Sequence, residues 1–245
     1  MTYRILHREA LPSTNTEASI AAAEGAPEGT VVSCREQTAG RGQRNSKWMS
    51  NAGDNVTASL ILRPPIKAKS IFMLSKAFSL AVAETLNGYG IDASIKWPND
   101  IYAGSRKIAG ILTEHCFRGD EPNYSVIGLG LNVRQIDFPP MDTVPTSIAA
   151  ETGVFREPDE VLLSVLECFS PLYGQLCSAS FRSVNERYMK KLFRRDGFFL
   201  YKRPNGEIFE AEITNVADSG ELFLRQANGK TESFLFKEIE FNYEL

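Results

Sequence analysis

Between residues 93 and 133 three strand-like segments follow one another with only turns between them: 93–97, 106–114 (RKIAGILTE) and 123–133 (NYSVIGLGLNV). Segments this rich in β-branched residues and this closely joined pair as antiparallel neighbours, because a parallel partner needs a long crossover. The stretch therefore commits the chain to a sheet that is largely antiparallel. Residues 3–8, 30–35 (TVVSCR) and 55–63 (NVTASLILR) read as further strands, and 15–24, 67–88, 158–178 and 181–195 read as helices. In the second helix Ile71, Leu74, Phe78, Ala81, Val82 and Leu86 recur at helical spacing before Gly88. Thr14 with Glu17 forms a capping-box pattern, and Gly25 marks the end of the first helix. The expected class is α+β, a mixed sheet packed with helices.

After Arg195-Asp196-Gly197 the texture changes. Short strands at 197–203, 207–215, 221–226 and 231–241 alternate with the turn signals Pro204-Asn205-Gly206, Ser219-Gly220 and Asn228-Gly229. These predict a small all-β barrel, and hence a division into residues 1–196 and 197–245. A length of 245 residues accommodates one large domain and such an appendage.

A net charge of -3 provides no general attraction to nucleic acid, so polyanion binding would need a local basic patch. The N-terminus lacks the apolar core of a signal peptide, and no run approaches the roughly 18 apolar residues of a membrane span. The expectation is a cytoplasmic protein without membrane contact. Cys34, Cys116, Cys168 and Cys177 form no CxxC pair and His7 and His115 stand alone, so no zinc-type cluster can be assembled. Cys34, Cys116 and Cys168 lie in apolar-patterned segments and are expected to be buried, reduced thiols. No metal ligand is assigned.

Four stretches carry chemistry. From Gln37 to Gly53 apolar periodicity disappears in favour of Gly, Arg, Asn and Ser, and loops longer than about 12 residues in compact domains are usually functional or disordered. Within it Gly40 and Gly42 admit close backbone approach, Arg41 and Arg44 can fork onto phosphate or carboxylate oxygens, and Trp48 can cover a flat group. The loop is neither a Walker nor a Rossmann motif, and on composition alone it is as readily a solvated turn as a site. In Lys96-Trp97-Pro98-Asn99-Asp100, Pro98 ends the strand, leaving either a preorganised polar corner or a simple turn. Lys107 heads an apolar strand three residues before Gly110, as a ligand-facing cation or as an edge lysine that deters aggregation. Gly128 and Gly130 clear one strand face before Asn132, as the floor of a groove would.

Taken in order, Ser13-Thr14-Asn15, Gln37-Thr38-Ala39-Gly40-Arg41-Gly42 with Trp48, Lys96-Trp97-Pro98-Asn99-Asp100, Lys107-Ile108-Ala109-Gly110-Ile111-Leu112, Gly128-Leu129-Gly130-Leu131-Asn132 and Pro145-Thr146-Ser147 resemble the motifs of biotin protein ligases, or biotin–[acetyl-CoA-carboxylase] ligases. The terminal barrel resembles that family's SH3-like domain. The resemblance implies a catalytic fold like that of class II aminoacyl-tRNA synthetases and a two-step reaction. Biotin and MgATP give biotinoyl-5′-AMP and pyrophosphate, and biotin then passes to a lysine of a biotin carboxyl carrier domain.

It also implies a biotin pocket of Ser13, Thr14, Asn15, Gln37, Gly40, Arg41, Gly42, Asp100, Lys107, Gly110 and Gly128, with Asp100 accepting from a ureido N–H. Arg41, Arg44, Trp48, Asn99, Lys107 and Asn132 would serve ATP, with Asn132 on the adenine, Asn99 near the phosphates or their magnesium, and Trp48 beside the nucleotide or the valeryl chain. Lys107, Arg41 and Arg44 are the implied catalytic cations, and the loop 38–52 is expected to order over the adenylate. Gln43 and Ser46 stand where many relatives carry arginine, so Arg44 is the residue expected to replace them. Only twelve residues precede Ser13, so the repressor domain of bifunctional members, and DNA binding with it, is not expected. Family members include monomers and homodimers, and either state is open here.

Two rivals stand beside this reading. Lipoate–protein ligases share the fold and the adenylate, but their triple-glycine stretch does not occur here. A non-enzymatic binding module is suggested by the basic run Arg182, Arg187, Lys190, Lys191, Arg194, Arg195, Lys202 and Arg203, which reads as a solvated helical face or as a surface for an acidic carrier domain.

Overall fold

The structure is a computed structural model that describes residues 1–43, 47–141 and 143–242. Strand β1 (Arg4–Leu11) leads into helix α1 (Thr14–Ala23), and β2 (Thr30–Gln37) returns parallel to β1. Then come β3 (Asn55–Leu62), α2 (Phe72–Gly88), β4 (Ala93–Lys96), β5 (Asp100–Ala103), β6 (Arg106–Arg118) and β7 (Glu121–Asn132). They form a seven-stranded sheet in the order β1-β2-β3-β7-β6-β5-β4, antiparallel from β2 onward. Helices α3 (Ile148–Thr152), α4 (Pro158–Cys177) and α5 (Phe181–Lys190) follow. Strands β8 (Phe199–Lys202), β9 (Ile208–Val216), β10 (Leu222–Arg225), β11 (Thr231–Phe234) and β12 (Glu240–Phe241) then build a second, antiparallel sheet of five strands. The α+β class and the antiparallel bias match the expectation from the turns.

The large sheet has two faces of different chemistry, and strand alternation sorts the residues between them. Val56, Ala58, Leu60 and Leu62 of β3 join Ile127, Leu129 and Leu131 of β7 and Ala109 and Ile111 of β6 in one buried cluster with α2 and α4. The intervening residues, Thr57 and Ser59 of β3 and Gly128 and Gly130 of β7, occupy the opposite face. There α1 covers only part of the sheet, packing Ala18 and Ala22 on Val32, Ile61 and Val126. Beyond α1 this face is open, and the candidate site lies on it.

The second sheet shares the main core, because Tyr201, Ala211, Val216, Leu222 and Phe234 belong to the same buried cluster. Its β9–β10 turn is fastened to α2 and to the end of β4. Phe72 N donates to Asp218 O at 3.2 Å, and the indole N–H of Trp97 donates to Gly220 O at 2.9 Å. Lys76 of α2, fully buried, donates to Asn185 Oδ1 and to Val216 O, both at 2.6 Å, and lies 3.6 Å from Asp218 Oδ1.

Several expectations need correction. The capping box does not form. Ser13 is the N-cap, its side chain makes no cap bond, and Thr14 is drawn instead to Gln37 and Ser59 of the sheet. The last helix stops at Lys190 because the chain beyond it pairs with β4, with Ile95 N bonded to Lys191 O at 2.7 Å and Phe193 N to Ile95 O at 2.9 Å. Strands β6 and β7 extend as a hairpin past their neighbours, so Cys116 is exposed rather than buried, while Cys168 is only partly buried and Cys34 is buried as expected. Half of the basic run is paired within the fold: Arg182 with Glu186, Arg187 with Glu84, Lys191 with Asp92, and Arg203 with Glu207 and Glu232.

Candidate active site

Register across the sheet gathers residues that are distant in sequence. Gly130 of β7 lies opposite Gly110 of β6, which lies opposite Asp100 of β5, and one step along, Gly128 lies opposite Leu112. Lys107 needs a further device, because strict alternation would turn it to the helix face with Ala109 and Ile111. The β5–β6 ladder slips here, pairing Ile101 with Ala109 but Tyr102 with Lys107, so Ile108 is the extra residue of a bulge. The bulge re-aims Lys107 onto the cleft face. Its Nζ lies 2.7 Å from Asp100 Oδ1, and a Cβ at Gly110 would meet Lys107 Nζ at 3.5 Å.

Above this floor is a cavity of about 220 Å³ lined by Ser13, Thr14, Asn15, Gln37, Arg41, Gly42, Trp48, Asn99, Asp100, Lys107, Gly110 and Gly128, together with Gln43, Lys47, Ile111, Leu112, Leu129 and Gly130. All the residues expected to hold biotin are thus brought together except Gly40. That glycine serves the loop itself, since a Cβ there would lie 2.4 Å from Trp48 O. Arg44 lies outside the described residues, as does Ser46.

One end of the cavity is a tight polar network. Gln37 Oε1 accepts from Thr14 N at 2.9 Å and from Thr14 Oγ1 at 3.2 Å, and Ser59 Oγ lies 2.6 Å from Asn15 Oδ1. Asn15 Nδ2 donates to Glu114 Oε2 at 2.7 Å, and Arg41 Nη2 approaches the same oxygen at 3.4 Å. Glu114 was not foreseen, although the two-residue period from Gly110 through Leu112 points to it. The glycines prove to be filled by protein groups. A Cβ on Gly128 would strike Asn15 Oδ1 at 2.1 Å, and one on Gly130 would strike Trp48 Cε2 at 2.3 Å.

A second cavity, of about 410 Å³, adjoins the first and shares Lys47, Trp48 and Lys107 with it. Its other walls are Met49, Asn132, Phe138, Pro140, Met141, Thr143 and Pro145. Asn132 Nδ2 donates to Thr146 O at 2.8 Å, but among the described residues Asn132 Oδ1 and Trp48 Nε1 are buried without partners. A buried acceptor and a buried donor left unmade each carry a desolvation cost that a ligand with the complementary atoms would relieve. Lys107 Nζ stands 5.8 Å from the centroid of the Trp48 ring, so this one of the two shared lysines is in contact range of the shared indole. The apolar wall of this second cavity left no mark in the sequence, because it comes from an irregular segment without period.

His115 lies further along β6, 2.8 Å from Ser125 Oγ through Nδ1, and burial pushes its pKa down to about 4 from 6.5. The native imidazole is therefore neutral at pH 7. Between pH 6.5 and about 4 the unfolded chain holds a proton that the native chain does not, so stability falls as pH falls through this window. Acid unfolding followed by circular dichroism should show a flatter limb over that range in His115→Gln than in the parent; an unaltered limb would remove His115 as its cause.

An open sheet face with a glycine floor, two lysines shared by two adjoining cavities, and unmet hydrogen-bonding atoms beside them make up the candidate site. The chain belongs to the biotin/lipoate A/B protein ligase family, whose sequence model matches residues 8–132. A biotin–[acetyl-CoA-carboxylase] ligase of Paracoccus denitrificans is 32% identical over 230 residues, covering 89% of this chain and 92% of the relative. The bifunctional ligase/repressor BirA of Bacillus subtilis is 32% identical over 236 residues, covering 94% of this chain and 71% of its own length. Among solved structures, the biotin protein ligase from Aquifex aeolicus in complex with biotin and ATP matches with a TM-score of 0.79 at 23% identity over 98% of each chain, a likeness of fold.

Proposed function

We propose that this chain is an ATP-dependent biotin–protein ligase. The observation that carries the reading is that Lys107, Lys47 and Trp48 line both cavities, and Lys107, held by Asp100 on the cleft face, stands where an acid in the first would meet a nucleotide in the second. In the first step a biotin carboxylate oxygen bonds to the α-phosphorus and the bond to the β-phosphate oxygen breaks, so pyrophosphate leaves with the electron pair. Two anions must approach each other, and preorganised cations lower that barrier. Lys107 and Arg41 supply charge from this chain, and Arg44 is assigned the same task by resemblance. In the second step a neutral lysine amine attacks the acyl carbon, and AMP departs.

Thr14, Asn15, Gln37 and Ser13 form the polar end suited to the ureido ring. Asp100 has one oxygen on Lys107, and we assign it as the counter-ion that aims this lysine rather than as a ureido acceptor, because the ureido group and the carboxylate lie at opposite ends of biotin. Asn132 Oδ1 would accept from the adenine amino group. Asn99, whose Nδ2 donates to Ile111 O at 2.7 Å, would offer its carbonyl oxygen to the magnesium that accompanies the phosphates. Magnesium is taken to enter with ATP as part of the substrate.

The proposed acceptor is a lysine in the biotin carboxyl carrier domain of acetyl-CoA carboxylase or a related carboxylase, met in the cytoplasm where ATP and carboxylases are found, by a monomer or a homodimer. We further propose residues 1–196 as the ligase domain and 197–245 as an SH3-like unit, a division supported by the two separate sheets. Incubation with labelled biotin, MgATP and a carrier domain, followed by mass measurement of the carrier, tests the function. One biotinyl adduct, absent without ATP and absent when lipoate replaces biotin, is expected. An adduct formed from lipoate alone would move the chain to the lipoate branch of the family.

A further inference from the structure

The cavity that would take the nucleotide is held in shape by a segment that does not line it with charge. Residues 144–146 lie alongside the start of β6, with Lys107 N bonded to Val144 O and Thr146 N bonded to Lys107 O, each at 2.9 Å. Thr146 O also receives Asn132 Nδ2 at 2.8 Å. One residue therefore fixes the backbone of the shared lysine and the side chain of the orphaned amide. Thr146 is buried, and its hydroxyl donates to Glu151 Oε1 of α3 at 2.5 Å, while Glu151 Oε2 receives Arg106 Nη2 at 2.9 Å.

We propose that Glu151 is a positioning residue for the nucleotide half of the site, acting through Thr146 on Asn132 and Lys107. This rests on the ligase reading above. A carboxylate that is mostly buried and held by Arg106 from the surface side gives Thr146 one fixed orientation. Without it, the amide that presents Asn132 Oδ1 and the bulge that presents Lys107 both lose their common support. Among the described residues, the network of Thr14, Asn15, Gln37 and Ser59 at the other end of the first cavity shares no hydrogen bond with Thr146 or Glu151, so binding of the acid's far end should be indifferent.

The test is steady-state pyrophosphate release with ATP and biotin varied separately. In Glu151→Ala and Thr146→Val the KM for ATP is expected to rise about tenfold or more with the KM for biotin within about twofold, since small misplacements of binding groups are costly. Glu151→Gln, which keeps an acceptor for the Thr146 hydroxyl, should restore most of the ATP affinity. An unchanged ATP KM, or parallel rises in both KM values, in variants that melt like the parent would overturn the proposal. If Glu151→Ala does not fold, the same two outcomes are read from Thr146→Val. Absence of biotin-dependent turnover in the parent itself would be a failure of the ligase reading, distinct from any result in which the parent is active.

Discussion

Lys107→Ala should release pyrophosphate from biotin and ATP more slowly by on the order of a hundred- to a thousandfold, the range seen when one preorganised charge-stabilising group is removed. The basis is placement. The bulge at Ile108 turns Lys107 to the cleft face, Asp100 holds its ammonium at 2.7 Å, and both cavities meet at it. Removing it does more than delete a positive charge, because Asp100 then faces the approaching carboxylate and phosphate without its counter-ion. Biotin binding, assigned above to Thr14, Asn15 and Gln37, should survive, so equilibrium binding of labelled biotin and pre-steady-state pyrophosphate release should separate cleanly. Parent-like release in the variant would take the catalytic role from Lys107.

The second large effect concerns stability. Lys76 is buried, and burial lowers its pKa from 10.5 to about 8, with Asp218 opposing the change. Between these values the unfolded chain binds a proton that the native chain has lost, so this lysine makes stability rise with pH. The gap corresponds to on the order of 3 kcal/mol across the window. Below pH 8 the native state carries the full cost of a buried ammonium, and toward pH 10.5 a neutral amine can still serve Asn185 and Val216. The comparison must be with Lys76→Met at each pH, because burial raises the pKa of Tyr188 and Tyr201, and these act in the opposite sense near pH 10. Urea unfolding at pH 7.5, 9 and 10.5 should show the parent gaining on Lys76→Met; parallel curves would mean that Lys76 titrates at its ordinary value.

Strands β3, β6 and β7 and helices α2 and α4 were legible because their apolar patterns are long and their periods unambiguous. Strand β5 was not, since its four residues follow directly on the Pro98 turn and read as part of that corner. Helix α3, of five residues, offers too little period to detect. The site was visible in residue type and order, but not in who touches whom. Gly128 and Gly130 were rightly placed on one face, yet the groups that fill them, Asn15 and Trp48, come from distant segments. The strand period would have pointed Lys107 away from the cleft, and only the bulge, a property of two paired strands, reverses that. Glu114 and Glu151 act on partners fixed by long-range register, which a single chain pattern does not encode.

The chain contains two tryptophans, and the fold has given them opposite surroundings. Trp97 is sealed beneath the β9–β10 turn, its N–H on Gly220 and its ring 5.2 Å from that of Phe236. Trp48 rests on the glycine floor between the two cavities, with its N–H unpartnered among the described residues. Emission from the first reports whether the two sheets stay joined, while emission from the second reports what occupies the cleft. The protein thus carries separate intrinsic optical probes for its assembly and for its ligands.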